Sequence, residues 1–438
     1  MYDIIYIGGG LNYAGAVVAA KHGLKVALVE TSLDQLGGVC LHKGCIPSKM
    51  FLHYANTIRQ SKESVFNGDI KLDMPTLTAK KAKLIASATK AVTAQCAKLE
   101  LIEGKGHVIA PHKVEVDGKI YEAEYIVIGT GSSPFIPEGI AYDGKSIITS
   151  DEVLELQKLS KNIAIYGDGA IGLEMASFFA SSGVEVTLIS RGEMLLRHSH
   201  PFIQNAVVKE IEKLGITHLK NHPVTNAEHT EKGVYITFEN GTSRYYEQML
   251  VATGRHPNTD VISTDDITVD RGIETDDFFE TTVAKHFAIG DCNGKVQLAH
   301  AARAQTLNVT MQILGKKPKK LNLDHVVRFI HTLPMSYATV GHNKQSLEKN
   351  GIAFKESVVT LNHFTGSVFH QASNGVMIVY ADDAGLILGA EILAPDAEEL
   401  IAPVAMALAG EMNASLSRET IMAHPTFSEA LERAYFKL

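Results

Sequence analysis

The chain has 438 residues, 45% apolar and 21% charged, which is the length of about three ordinary domains and the composition of a soluble globular protein. A formal charge of −8 argues against a nucleic-acid partner, and no Lys/Arg block suggests an electrostatic membrane anchor. The start, MYDIIYIGGG, has no basic region ahead of a signal-like segment, no run reaches the roughly 18 apolar residues of a membrane span, and the few cysteines point to a cytoplasmic setting, where a disulfide is more often catalytic than structural.

Ile4-Ile5-Tyr6-Ile7 predicts a short buried strand running into Gly8-Gly9-Gly10, then an Ala-rich helix to about Gly23 and a strand Val26-Ala27-Leu28-Val29 closed by Glu30. That order is a βαβ unit of dinucleotide-binding type. Gly8 permits the tight turn, Gly10 lets the backbone approach a pyrophosphate, and Glu30 stands where an acid bonds a ribose. The third glycine of the fingerprint should fall at position 13, but Tyr13 is there and Gly15 follows two residues on.

Next comes GGVCLHKGCIPSK, residues 37–49, with two of the four cysteines five positions apart. Pro47 favours a helix start, which puts Cys45 in a first turn where free N–H groups and the helix dipole stabilise a thiolate. Five residues of regular helix would hold Cys40 and Cys45 too far apart to bond, so the backbone between them must bend, and Gly44 makes the bend easy. This chemistry fits a redox pair; two buried thiols or half of a metal site are the other readings, although Cys96 and Cys292 are isolated and no second ligand pair is evident.

The string resembles the active-site segment of the dimeric flavoprotein disulfide reductases, the class I pyridine nucleotide-disulfide oxidoreductase family of dihydrolipoamide dehydrogenase, glutathione reductase and mercuric reductase. His42 departs from the family's usual Asn. The resemblance implies an α/β fold with two Rossmann-like domains, one for FAD and one for NAD(P), plus a C-terminal α+β dimerisation domain. Its expected boundaries are 1–145 with 253–322 for FAD, 146–252 for NAD(P), and 323–438 for the dimer interface. It makes Cys40 and Cys45 the redox disulfide, with Cys40 exchanging with substrate and Cys45 facing flavin. Gly8, Gly10, Glu30, Gly38 and Lys49 become FAD contacts.

Residues from about 75 to 100 read as a polar-faced helix in which Cys96 is a packing residue. The buried strand Tyr125-Ile126-Val127-Ile128 then ends in Gly129-Thr130-Gly131, which resembles the family's second FAD motif and adds Thr130 and Gly131. A second βαβ unit opens at Ile163-Ala164-Ile165-Tyr166 and carries a complete GxGxxG at Gly167, Gly169 and Gly172. Two such units imply two dinucleotides, as electron relay requires. In similar proteins Glu174 pairs with the lysine at position 49. The second strand ends in Ser190-Arg191 instead of an acid, and an arginine can accommodate a 2′-phosphate. Arg191 and Arg197 resemble the arginine pair of NADPH-using glutathione reductases, whereas Gly172 follows the NAD-type fingerprint, so NAD(H) and NADP(H) both stand.

Val251-Ala252-Thr253-Gly254 resembles the family's return to the FAD domain, with Gly254 on the nicotinamide side. Phe287-Ala288-Ile289-Gly290 leads to Asp291, which in similar proteins binds the FAD ribityl chain. Leu298-Ala299-His300 matches the dihydrolipoamide dehydrogenase form of the loop beside flavin, adding Ala299. Beyond Leu323 the chain alternates apolar strands, among them Val368-Phe369-His370, Val376–Tyr380 and Leu386–Gly389, with helices such as Ala397–Ile401. It closes on HPTFSE, in which His424 is held extended by Pro425 and Glu429 is placed to orient its imidazole. In the family this histidine reaches the cysteine pair of the other subunit.

The expectation is an FAD-dependent dithiol/disulfide oxidoreductase most like dihydrolipoamide dehydrogenase, a homodimer with a shared active site, a lipoamide-type substrate and a place in a 2-oxoacid dehydrogenase or similar complex. No metal is expected. An NADPH-dependent reductase of glutathione or another small disulfide, and a flavin-binding assembly subunit with dispensable chemistry, are the competing readings.

Overall fold

The computed structural model describes every residue from Met1 to Leu438, and the chain divides into two compact units built from separated segments. The first comprises Met1–Met50, Pro75–Phe135 and Gly254–Leu323, and the second Phe51–Met74, Ile136–Thr253 and Asp324–Leu438. No helix is long and apolar enough to cross a membrane.

In the first unit the strand Tyr2–Ile7 pairs in parallel with Val26–Glu30 on one side and Lys119–Ile128 on the other, and the outer strands Glu100–Glu103 and His286–Ala288 extend the sheet. A parallel sheet is covered on both faces, which is why these strands read as unbroken apolar runs. Alternate residues serve the two cores. Ile5, Ile7, Ala27, Val29, Ile126 and Ile128 pack on one face with Val108 and Val114, and Ile4, Tyr6, Leu28 and Val127 pack on the other with Ala16, Val17 and Val309.

The helices Tyr13–Lys21 and Ala299–Ile313 touch at Gly15, where a Cβ would come within 2.4 Å of Thr306 Oγ1 and 2.5 Å of Thr310 Oγ1. Gly15 therefore provides a close approach between helices, while Tyr13 sits half-buried at the edge of the second core. Asn12, wholly within the protein, donates its side-chain amide to the carbonyls of Ile7 and Val127 and so ties the glycine turn to the strand ends.

The second unit holds the other βαβ motif, Asn162–Tyr166, Ala170–Ser181 and Glu185–Ile189, in a five-stranded parallel sheet with Thr217–Leu219, Gln248–Val251 and Ile147–Ile148. It also holds a three-stranded antiparallel sheet, Val224–Thr230, Gly233–Phe238 and Ser243–Tyr246. A five-stranded antiparallel sheet follows in the order Arg328–Ile330, Ser336–Gly341, Ile387–Ala394, Val376–Ala381 and Lys355–Thr360. The helices Ala402–Ala409 and Ser428–Phe436 cover it through Val404, Ala407, Leu431 and Tyr435. One expected strand is absent. Val368 and Phe369 belong to a helical turn, Gly366–Phe369, capped by His370, with Val368 79% and Phe369 61% exposed, because so short a run carries no periodicity to separate strand from helix.

Candidate active site

The thiol segment belongs to the first unit. Gly37 and Gly38 both take left-handed backbone, φ 100° and 65°, and a Cβ on Gly38 would stand 2.7 Å from Gly10 Cα, so the two glycine turns meet with no side chain between them. A short helix, Gly38–His42, carries Cys40, and the long helix Cys45–Ser61 begins at Cys45 itself. Gly44 joins them without a left-handed φ. What it supplies is absence of bulk, since a Cβ there would lie 3.0 Å from Val39 O and 3.2 Å from Cys40 Cα.

Cys40 is half-buried and Cys45 exposed. The hydrogen bond with Cys45, reinforced by burial, drives the Cys40 thiol far above the ordinary thiol range. The Cys45 sulfur stands at a helix N-terminus, where negative charge is favoured. Cys96 and Cys292 are buried, and burial pushes each thiol up to about 11. His42, also buried, hydrogen-bonds Leu36 O at 3.0 Å and anchors the short helix.

The surrounding residues suit a bound FAD. Gly8, at φ 93°, would carry a Cβ 2.4 Å from Gly129 O, whereas Gly10 has open space apart from Gly38 Cα at 3.8 Å, so the turn is tight on one side and open to a ligand on the other. Glu30 accepts the N–H groups of Gly9 at 2.6 Å and Thr31 at 2.7 Å; burial pushes its carboxyl up against these donors. Burial likewise raises Asp291, which accepts Ser132 Oγ at 2.6 Å. Arg255 grips Ser132 through Nε to Oγ at 2.9 Å and Nη2 to the carbonyl at 2.6 Å.

Thr130 Oγ1 bonds Asn258 O at 2.6 Å, and Gly131 and Gly254 both have positive φ with nothing near a would-be Cβ. Ala299 opens the helix on which Gln305 Nε2 lies buried without a partner. Glycine-lined openings and two half-buried carboxylates with acceptor capacity match a ligand made of phosphates and hydroxyls.

In the second unit Gly167 and Gly172 admit no side chain: a Cβ would meet Ala252 O at 2.2 Å and Gly167 O at 1.9 Å. Gly169, the N-cap of Ala170–Ser181, has nothing within 4 Å, which leaves its backbone open to a phosphate. Arg191 donates through Nε to Tyr166 Oη at 3.0 Å, and Arg197 donates to His198 Nε2 at 3.0 Å. Glu174, only 8% exposed, accepts the His331 backbone N–H at 2.9 Å.

His424 Nδ1 and Glu429 Oε1 are 3.0 Å apart, and Glu429 Oε2 accepts the Thr426 N–H at 3.1 Å. The His424 bond, then the Thr426 one, holds the Glu429 carboxyl below its usual range. With Nδ1 engaged and the side chain 78% exposed, Nε2 is the nitrogen left to serve another molecule. Sequence reasoning missed Asn12, the Tyr166 hold on Arg191, the Ser132–Arg255 link and a second imidazole–carboxylate pair, His331–Glu398. These are long-range contacts with no local signature; a histidine-to-acid spacing of 67 residues has none.

Residues 2–306 match the family model pyridine nucleotide-disulphide oxidoreductase, and residues 327–435 match the dimerisation domain of the same name. The chain belongs to this family of flavoprotein disulfide oxidoreductases, enzymes that bind FAD and a pyridine nucleotide. It is 32% identical over 445 residues to a dihydrolipoyl dehydrogenase of Chlamydia muridarum, covering 98% of this chain and 95% of the relative. It is 30% identical over 450 residues to a mercuric reductase of Lysinibacillus sphaericus, covering 99% and 82%. Among solved structures, the HOCl-induced flavoprotein disulfide reductase RclA from Escherichia coli superposes with a TM-score of 0.89 at 25% identity, over 99% of each chain. LpdA from Mycobacterium tuberculosis does so at 0.91 and 23% identity, over 100% of this chain and 99% of that one, a likeness of fold alone.

Proposed function

We propose that the enzyme oxidises a lipoamide-type dithiol, or reduces the matching disulfide, through Cys40 and Cys45, with NAD(H) as the nicotinamide partner. The observation that carries this reading is the placement of the thiol pair: Cys45 heads the long helix Cys45–Ser61, and Cys40 lies on the short helix just before it. The proposed domains are 1–145 with 253–322 for FAD, 146–252 for NAD(P) and 323–438 for the subunit interface. FAD, when bound, supplies a two-electron carrier between the thiol pair and the nicotinamide. Gly8, Gly10, Glu30, Gly38, Lys49, Thr130, Gly131, Asp291 and Ala299 would hold it, while Gly167, Gly169, Gly172, Arg191, Arg197 and Gly254 serve the nicotinamide dinucleotide.

In the oxidising direction His424, oriented by Glu429, takes the proton of one substrate thiol at Nε2. The resulting thiolate attacks Cys40 of the oxidised pair, the Cys40–Cys45 bond breaks, and Cys45 leaves as a thiolate. The second substrate thiol then attacks the mixed disulfide and releases Cys40. Of the two protons taken from the substrate, one ends on Cys40 and one on His424; two electrons have passed to the cysteine pair. On the family resemblance, Lys49 would contribute a positive charge beside the flavin, and Glu174 is the carboxylate assigned to it.

A homodimer in which His424 of one copy serves the thiol pair of the other is supported by the dimerisation-domain match and by the exposure of that ring. The large exposed apolar residues Val368, Phe369, Met406 and Ile421 fit the same reading. Turnover of dihydrolipoamide with NAD, against glutathione with NADPH, tests the proposal. The expected result is faster dihydrolipoamide turnover that is lost in Cys45→Ser; equal turnover by that variant would refute it.

A second reading, an NADPH-dependent reductase of a small disulfide, draws support from Arg191 on Tyr166 and from Ser190 in place of an acid. It requires kcat/KM for NADPH to exceed that for NADH and to fall in Arg191→Ala. Whether the dimer joins a 2-oxoacid dehydrogenase or similar complex is tested by co-purification with a lipoylated partner.

A further inference from the structure

His331 and Glu398 form an imidazole–carboxylate pair distinct from the one at His424. His331 Nδ1 lies 2.5 Å from Glu398 Oε1, with Ser336 Oγ at 3.5 Å. The ring is largely covered, with its side chain 23% exposed. Glu398 Oε2 is buried with no hydrogen-bond partner, so the carboxylate is held through its other oxygen, where the imidazole is a close partner. Burial pushes Glu398 upward, but the His331 bond and its companions outweigh that, and its carboxyl falls below the usual range.

The same residue reaches the catalytic machinery through its backbone. The His331 N–H donates to Glu174 Oε1 at 2.9 Å, and two residues on the Leu333 N–H donates to Ser177 Oγ at 3.4 Å. Glu174 and Ser177 are three apart on the helix Ala170–Ser181 and so share a face. The segment from His331 to Leu333 is therefore fastened to that face at two points, and its side-chain anchor is Glu398, on the short helix Ala397–Leu400.

We propose that His331 is a positioning residue for the reaction: Glu398 fixes its ring, and its backbone N–H then fixes the carboxylate of Glu174. This rests on the reading of Glu174 as part of the machinery with Lys49. A carboxylate held at one oxygen by a rigid amide presents the other in a set direction. Without the anchor the amide moves and that oxygen loses a fixed donor.

The test is a double-mutant cycle on the FAD-loaded enzyme with His331→Phe, Glu174→Gln and their combination, joined by His331→Asn, whose amide can replace the Nδ1 donor. The expected result is a fall in kcat of about 10- to 100-fold for each single variant with little change in KM for the dithiol. The double variant should be no slower than Glu174→Gln alone, within about two-fold, and His331→Asn should recover most of the loss. Amide hydrogen exchange supplies a readout independent of turnover: the residue 331 N–H should exchange faster in Glu398→Ala and Glu174→Gln, while the sheet around it stays protected. Losses that multiply in the double variant, or an unchanged 331 amide in Glu398→Ala, would overturn the positioning role and leave Glu174's role standing. An unimpaired Glu174→Gln would overturn both.

Discussion

Cys40 and Cys45 are chemically unequal because one donates to the other and only one heads a helix. Alkylation of the reduced protein should therefore modify Cys40 and Cys45 first and reach Cys96 and Cys292 only on unfolding, since burial both hides those two and pushes them up to about 11. Peptide mass analysis over time reads that order. His424 is held at Nδ1 by Glu429, so His424→Gln should lower dithiol turnover by about 10²- to 10⁴-fold. Glu429→Gln, which keeps an oxygen in place of the charge, should cost less. A kinetic pH profile displaced in Glu429→Gln would mark the pair as a working acid–base unit. At this scale the sequence was most legible where residues act within one segment, as in Cys40 with Cys45 and His424 with Glu429. It was silent on His331 with Glu398, which the fold alone brings together.

Glycines separate two jobs within each βαβ element. Gly172 and Gly8 are sites where backbone leaves no room, so alanine at either should destabilise the protein by roughly 2–4 kcal/mol, read as a lower denaturation midpoint. Gly169 has nothing around it and an ordinary φ, so Gly169→Ala should leave stability within about 0.5 kcal/mol yet raise KM for the nicotinamide nucleotide. Equal thermal losses at Gly169 and Gly172 would contradict that division. Both βαβ units were legible because a buried parallel strand, a glycine turn and a helix leave a continuous local pattern. The substitution of Tyr13 for the third glycine was visible, but Gly15's contact with Thr306 and Thr310 was not, because the partner helix is some 290 residues away. The turn at Gly366–Phe369 was misread as strand for lack of length.

Across the whole chain, buried neutral histidines make stability depend on acid. His286 has no exposed surface, accepts the His112 N–H at 2.9 Å and has its pKa lowered chiefly by burial; His218 and His200 are lowered chiefly by burial too. An unfolded histidine binds its proton near pH ~6.5 while these folded ones resist it, so their contribution is complete above that pH and is lost as pH falls through the depressed folded values. Melting temperature should thus drop between about pH 6.5 and 5, with a shallower slope in His286→Gln. Association is the other property of this scale. Ile421, 95% exposed and three residues before His424, and Phe369 should be covered by a second copy, so Phe369→Asp with Ile421→Asp should shift sedimentation toward monomer and remove dithiol turnover together. The central claim, that electrons pass through one particular cysteine pair, is tested most directly by thiol counting. Oxidised, FAD-loaded protein is treated anaerobically with NADH or NADPH, alkylated at once and digested. The expected outcome is that Cys40 and Cys45, linked beforehand, both become alkylated while Cys96 and Cys292 do not change; identical labelling of Cys40 and Cys45 with and without either nucleotide would contradict it.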